Sequence, residues 1–193
     1  MGILGGMSPQ ATMDFEARVH RAAQRLVPWD RNRGYPRMVV WYYRQLPVHL
    51  GEDGLAEITQ AAGYPVLSMI DVILDDVVDR GATRVGVLDF GAASPLYLGP
   101  LRQRGVHCET IDATAQARLD AAIRAVMEGR DDQADAEAAR DAASTLRSRG
   151  MQSLVLGCTE IPLLLGDEGE AADLINPAAL LAEAAVRFAM ERA

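Results

Sequence analysis

The sequence of 193 residues contains no lysine, and all 19 lysine-or-arginine positions are arginine. A lysine Schiff base is therefore excluded, and with it a covalently held pyridoxal cofactor. Two cysteines in a chain of this length predict free thiols in a reducing cytoplasm. No apolar run approaches the roughly 20 residues that span a bilayer, and no charged-then-apolar leader opens the chain. We expect a cytoplasmic protein without a membrane partner.

Positive charge is also scarce, and the net charge is -8 at pH 7. An acidic chain without a basic stripe is a poor binder of nucleic acid, so we expect no such partner. The composition, 49% hydrophobic and 24% charged, is that of a globular protein. A chain of this size buries roughly 70% of its unfolded surface, enough for one domain or two small lobes.

The most informative stretch is residues 153–157, Ser-Leu-Val-Leu-Gly, followed by Cys158. A short apolar run closed by glycine predicts a strand buried on both faces, as in a parallel sheet. Ligands bind at the carboxyl ends of such strands. Cys158 is therefore placed to meet a substrate, with the Thr159 hydroxyl as a hydrogen-bond donor. The alternative is a buried, inert thiol.

Strand-like and helical patterns alternate along the chain, which predicts βαβ units and a parallel sheet with helices on both faces. The predicted strands are residues 37–43, 64–70, 85–90, 106–111 and 153–157. The predicted helices are residues 11–27, 55–62, 71–80, 96–104, 113–127, 134–149 and 178–192.

A strand, a glycine turn and a helix occur in residues 4–12 and again in residues 87–96. This echo predicts two similar lobes that face each other. We expect an N-terminal lobe over residues 1–72, a C-terminal lobe over 73–175, and a last helix in 176–193 that returns to the first lobe. Each glycine turn either brings an anion close to a helix N-terminus or only permits a tight bend.

Five motifs follow one another along the chain: Gly2-Ile3-Leu4-Gly5-Gly6-Met7-Ser8-Pro9, Pro65-Val66-Leu67-Ser68-Met69-Ile70, Gly81-Ala82-Thr83-Arg84-Val85-Gly86-Val87-Leu88, Leu156-Gly157-Cys158-Thr159-Glu160-Ile161-Pro162 and Asn176-Pro177. Together they resemble the aspartate/glutamate racemase family. The resemblance implies a two-lobed α/β fold and racemisation of a small amino or carboxylic acid without a cofactor or metal, by two cysteines, one from each lobe.

The resemblance assigns the catalytic thiol to Cys158. Substrate-binding residues are expected in the turns of both lobes and beside that thiol. They are Gly6, Met7, Ser8, Thr12, Ala92, Ala93, Ser94, Thr159 and Glu160. Inversion of a stereocentre needs two acid/base groups on opposite faces of one carbon, because a single group returns the proton to the face it left.

The sequence differs from the family pattern at positions that carry the family's catalytic and substrate-binding residues. No Cys-Asn-Thr block is present in the first lobe, and roughly 30 residues, one βαβ repeat, are missing between Gly54 and Leu55. Cys108 lies within a second-lobe strand and is expected to be structural. Arg44 is a candidate replacement for the family's substrate-binding arginine, and the family's lysine falls near Met127.

Two residues are candidates for a second acid/base, Asp89 and His49. Burial of a carboxylate inside an apolar strand is costly, which favours a functional role for Asp89. The alternative is that Asp89 simply caps the turn at Gly91. A histidine in a loop is often only solvated.

Three hypotheses follow. The protein is a racemase with a non-cysteine partner for Cys158, an enzyme of a one-thiol reaction such as a decarboxylase or lyase, or a non-catalytic homologue. The shortened first lobe leaves an exposed sheet edge, so we also expect a homodimer.

Overall fold

The computed structural model describes residues 1–5, 8–28, 35–42, 63, 65–91 and 95–191. The structural statements below concern these residues. The expected helix over 55–62 and the gap at Gly54 lie outside them.

The chain begins with a β-α-β unit. Strand β1, Gly2–Gly5, leads to helix α1, Pro9–Leu26, and then to strand β2, Val39–Tyr42, which pairs with β1 in parallel. Helix α1 starts where it does because the Ser8 hydroxyl accepts the Ala11 N–H and a proline occupies the first helical turn. The expected strand and helix of this region are confirmed.

The expected strand over 64–70 is wrong. Residues 65–68 have no regular structure, and helix α2, Met69–Asp79, begins where the strand should have ended. The reason is the Ser68 hydroxyl, which accepts the Asp71 N–H and caps the helix. Capping outweighs the strand preference of the short apolar run before it.

The rest of the chain builds a second parallel sheet. Its strands are β3, Arg84–Leu88; β4, His107–Glu109; β5, Ser153–Leu156; and β6, Leu174–Ile175. Their order is β4-β3-β5-β6, with all neighbours parallel. The α/β fold with parallel sheets is therefore confirmed.

Helices connect these strands and cover both faces of the sheet. They are α3, Pro95–Gln103; α4, Ala113–Glu128; α5, Gln133–Ser148; α6, Ile161–Leu165, followed by a 3-10 turn over Gly166–Glu170; and α7, Pro177–Met190.

Alternate strand residues enter two apolar clusters. On one face Leu88, Leu154 and Leu156 pack against α4, α5 and α6. On the other face Val87 and Val155 pack against α2 and α3. Because both faces are covered, the central strands β3 and β5 are apolar after their first residue, as the sequence predicts for β5.

The connections reverse direction at β3. The chain passes from β3 to β4 through α3, and then returns across β3 through α4 and α5 to reach β5. The helix after β3 and the helix after β5, α3 and α6, therefore pack on opposite faces of the sheet. Such a switch point is where open α/β sheets bind ligands.

The last helix packs on the first. Val186 and Ala182 of α7 are buried against Val19 and Ala22 of α1, so the C-terminal segment lies on the β1–β2 unit. The division into lobes over 1–72 and 73–175 stays a prediction, and its boundary falls inside α2. Among the described residues of the β1–β2 sheet, Leu4 is 77% exposed and Trp41 is 67% exposed. None of the helices described is both long and apolar enough to cross a membrane.

Candidate functional site

Strand β5 is followed directly by Gly157, and the packing at this position requires a glycine. The Gly157 N–H donates to the Leu88 carbonyl over 2.6 Å, the last bond between β5 and β3. A Cβ at Gly157 would lie 2.8 Å from Cε2 of Tyr97, 3.1 Å from the Leu88 oxygen and 3.3 Å from Cβ of Asp89. Contacts below 3.0 Å do not occur for real Cβ atoms, so only glycine fits without a shift of its neighbours.

The next peptide, between Gly157 and Cys158, is held by α3. The Tyr97 hydroxyl donates to the Gly157 carbonyl over 2.8 Å, and the tyrosine is 5% exposed. Burial, and then the electrostatic influence of Cys158 and Asp89, raise the pKa of Tyr97. The phenol therefore stays protonated and serves as a donor.

The next residue is Cys158, whose thiol is partly exposed beside the switch point. Its Sγ donates to Oε2 of Glu160 over 3.0 Å, and the Thr159 hydroxyl donates to the same oxygen over 3.1 Å. Glu160 is only 2% exposed. The motif Cys-Thr-Glu thus folds back on itself, with one buried carboxylate oxygen receiving two donors.

This environment keeps the thiol protonated. Burial is the largest cause that raises the pKa of Cys158, followed by the charge and the hydrogen bond of Glu160; Asp89 adds to the effect. A Glu160 backbone hydrogen bond opposes it. At neutral pH Cys158 is therefore a thiol that can deliver a proton, rather than a ready thiolate.

Asp89 follows β3 directly and is fully buried. Its Cβ flanks Gly157 on the side of Tyr97. The structure thus brings Asp89 and Cys158 to the same end of one sheet, on adjacent strands. A carboxylate in this position comes from the same lobe as the thiol, whereas inversion at carbon needs a group that approaches from the opposite face.

The turn after Asp89 is held by polar residues of α4. Nε2 of Gln116 donates to the Asp89 carbonyl over 2.9 Å and to Oδ1 of Asp120 over 2.7 Å. The same Asp120 oxygen accepts the Gly91 N–H over 2.9 Å. Gly91 has φ of 64°, a left-handed conformation that favours glycine.

The sequence analysis did not assign Tyr97, Gln116 or Asp120 to the site. The sequence did carry a signal for Gln116 and Asp120, because polar residues four apart on a predicted helix lie on the same face. Tyr97 had no comparable signal, since a tyrosine early in a helix is compatible with many environments.

The second cysteine is distant from this site in the sheet order. Cys108 lies on β4, opposite Val85 of β3, and is 7% exposed within the cluster on α2 and α3. Its thiol donates to the Val106 carbonyl over 3.5 Å, and burial raises its pKa. These contacts agree with a structural role.

In the first lobe, Ser8 and Thr12 make structural contacts. Ser8 caps α1, the Thr12 hydroxyl donates to the Ser8 carbonyl over 3.0 Å, and the Thr12 side chain packs on Gly5. Their part in substrate binding stays a prediction. The other predicted site residues of both turns and the loop lie outside the described residues: Gly6, Met7, Arg44, His49, Ala92, Ala93 and Ser94.

Within the described part of the chain, no three histidine, cysteine, aspartate or glutamate side chains come together to hold a metal ion. The expectation that the reaction needs neither metal nor cofactor stays a prediction.

The comparison with protein families decides the affiliation. The family model described as Asp/Glu/hydantoin racemase matches residues 52–185, more than half of the chain. The chain belongs to this family. The matched region includes β3, β5, Cys158 and most of α7. The racemase family resemblance inferred from the motifs is thus confirmed.

A curated protein is similar to part of this chain. An uncharacterized protein encoded in the pnlA 3′ region of Pectobacterium carotovorum subsp. carotovorum is 29% identical over 118 residues, which cover 58% of this chain and 75% of the relative.

Solved structures of racemase relatives share the fold. A candidate Asp/Glu racemase from Yersinia pestis superposes with a TM-score of 0.75 at 18% identity, covering 98% of each chain. An aspartate racemase from Picrophilus torridus gives 0.75 at 20% identity, covering 98% of this chain and 93% of its own. An aspartate racemase homologue from Pyrococcus horikoshii OT3 gives 0.72 at 18% identity, covering 97% of each chain.

Proposed function

We propose that this racemase-family protein catalyses proton transfer at the α-carbon of a small amino or carboxylic acid, with Cys158 as the group that carries the proton. The observation that carries the proposal is the position of the thiol. It lies at the switch point of the sheet, partly exposed, and is hydrogen-bonded to buried Glu160. Family membership supports a small amino acid as the substrate.

The protonated state of Cys158 suits one half of such a reaction. A carbanion next to a carboxylate can accept the thiol proton, and the thiolate then regains a proton from solvent or from a second group. Glu160 keeps the thiol protonated until an acceptor arrives. Racemisation would require that second group to come from the opposite side of the substrate. His49 remains a candidate for this group. Asp89 is also a candidate, although it lies at the same end of the same sheet as Cys158.

One observation favours a second candidate function. The chain has only two cysteines, and Cys108 is buried on β4, so a two-thiol racemisation is not available. A one-thiol decarboxylation needs no second face. The bond from the α-carbon to the leaving carboxylate breaks, carbon dioxide departs, the electron pair stays on the α-carbon, and Cys158 supplies the proton. A lyase that protonates a carbanion in the same way is equally compatible.

Isotope exchange tests the proposal. The protein is incubated in deuterated water with aspartate, glutamate and malonate-type acids, and the α-proton signals are followed by NMR together with release of carbon dioxide and ammonia. We expect exchange or release with the wild type, none with Cys158→Ser, and unchanged rates with Cys108→Ser as the matched control. Exchange with inversion supports the racemase, whereas release of carbon dioxide or ammonia supports the one-thiol reaction.

The non-catalytic alternative gives a different result. It is supported if no acid is turned over and none raises the melting temperature, since a ligand that binds only the folded state must stabilise it. The homodimer also stays a prediction, tested by sedimentation over a range of concentrations.

A further inference from the structure

Tyr97 occupies the place of a backbone donor that the sheet does not supply. In a parallel ladder, a residue donates its N–H to one residue of the neighbouring strand and receives at its carbonyl an N–H from two residues further along. Gly157 makes the first bond, to Leu88. Strand β3 ends there, and the Gly157 carbonyl is bound by the Tyr97 hydroxyl over 2.8 Å instead.

The consequence concerns the direction of the thiol. Gly157 has no side chain to restrict its backbone, and its carbonyl belongs to the peptide unit that leads into Cys158. The peptide before it, Leu156–Gly157, is bonded to β3 through the Gly157 N–H, whereas the Gly157–Cys158 peptide is held at its carbonyl by Tyr97 of α3. A rotation of the plane would change the direction of the Cys158 Cα–Cβ bond and the 3.0 Å contact of Sγ with Glu160.

We propose that Tyr97 is a positioning residue for Cys158, whose hydroxyl orients the Gly157–Cys158 peptide so that the thiol is held on Glu160 at the switch point. The ring contributes too, because it lies against Gly157 and closes that side of the peptide. Tyr97 touches no reacting atom in this arrangement and acts through the backbone. The inference goes beyond the proposed function, since it concerns the state of the thiol whichever acid the protein uses.

Among the described residues, three ionisable side chains face the thiol or the peptide before it. They are Glu160 from the start of α6, Asp89 from the end of β3 and Tyr97 itself from α3. On the α4 side, Asp120 is engaged with the Gly91 turn. If the thiol leaves Glu160, the influence that favours its protonated form weakens, so it should ionise at lower pH.

The test is Tyr97→Phe, which keeps the ring and removes the hydroxyl. It is made in a Cys108→Ala background so that one thiol remains, and circular dichroism checks the fold. Two readouts that need no substrate are the pH dependence of Cys158 alkylation by iodoacetamide and the S–H stretching band in the infrared. We expect the alkylation midpoint to move to lower pH, with a rate at pH 8 increased roughly threefold or more, as for half a pKa unit. The S–H band should broaden and move toward that of a thiol without a strong acceptor.

The matched control is Tyr42→Phe, which also removes a tyrosine hydroxyl bond of 2.8 Å, to Glu16 on α1. It should leave both readouts unchanged. An alkylation profile and an S–H band of Tyr97→Phe that superpose on those of the parent would overturn the inference. If the wild type turns over an acid, kcat should fall about tenfold in Tyr97→Phe with little change in KM. If it turns over none, the proposed function fails, while the two thiol readouts still decide the role of Tyr97.

Discussion

The Cys158 thiol donates to Oε2 of Glu160 over 3.0 Å, and Glu160 is 2% exposed. A carboxylate two residues from a cysteine is thereby folded back on it rather than directed to solvent. The pair makes the thiol a proton donor at neutral pH, because burial and this carboxylate both raise the pKa of Cys158.

Replacement of Glu160 by glutamine should lower the pKa of Cys158. Glutamine keeps an oxygen that can accept from the thiol and from Thr159 but removes the negative charge. The pKa should remain above the ordinary thiol value because burial persists. We expect alkylation of Cys158 at pH 8 to accelerate about tenfold, the effect of one pKa unit. The control is Glu168→Gln, whose exposed carboxylate pairs with Arg140. Equal rates for the two variants would contradict the assignment.

The raised pKa of Cys158 should make the protein less stable at alkaline pH. The folded chain keeps the thiol proton at pH values where the unfolded chain, with an ordinary thiol pKa near 8.5, loses it. The unfolded state then binds fewer protons, so the free energy of unfolding decreases as pH rises, by at most about 1.4 kcal/mol per pH unit for this group. Urea unfolding between about pH 8 and pH 10 measures the slope. Cys158→Ala should make it shallower, and an unaltered slope would argue against the raised pKa.

Gly157→Ala should destabilise the fold by roughly 1–3 kcal/mol, because the new Cβ would meet the Tyr97 ring at 2.8 Å and the Leu88 carbonyl at 3.1 Å. The backbone oxygen cannot move without disrupting β3. The matched control is Gly99→Ala in α3, where nothing lies within 4 Å of the new Cβ. That substitution should be neutral or stabilise the helix by about 0.5–1 kcal/mol. Chemical unfolding measures the free energy of unfolding of both variants, and equal values for the two would contradict this prediction.

Val186→Ala should cost about 2 kcal/mol of stability, since two buried methyl groups are lost between α7 and α1. The same substitution at Val78 of α2, which is 59% exposed, is the control and should change the stability by less than about 0.5 kcal/mol. Both sites are helical, so the difference in helix propensity cancels. A small effect at Val186 would mean that the last helix contributes little to holding the first.

Local patterns predicted most of the regular structure. The predicted segments for α1, α4, α5, β3 and β5 are confirmed within a few residues of their ends. The failure at residues 64–70 came from the apolar run Val-Leu-Ser-Met-Ile, in which Ser68 serves as a helix cap. The same stretch can extend or begin a helix, and the Ser68 cap together with the packing of α2 against the sheet favours the helix.

The site was predicted in part. Cys158 at the end of a buried strand and Asp89 at the end of another follow from hydrophobic runs that stop at polar residues. The contact of Tyr97 with Gly157 could not be predicted, because it depends on where α3 crosses the sheet. The spacing of Gln116 and Asp120 places them on one face of α4, but their partners could not be predicted, because these are backbone groups of a turn distant in sequence.

By itself the sequence determined the alternation of strands and helices and the place of a thiol at the end of β5, since hydrophobic periodicity and turn residues act over a few neighbours. Only the tertiary structure decided that β5 pairs with β3, and hence that Gly157 lies beside Leu88, Asp89 and Tyr97. Strand order in a parallel sheet depends on how crossover helices pack on its two faces. That packing is a property of the whole chain, and no short stretch of it carries the information.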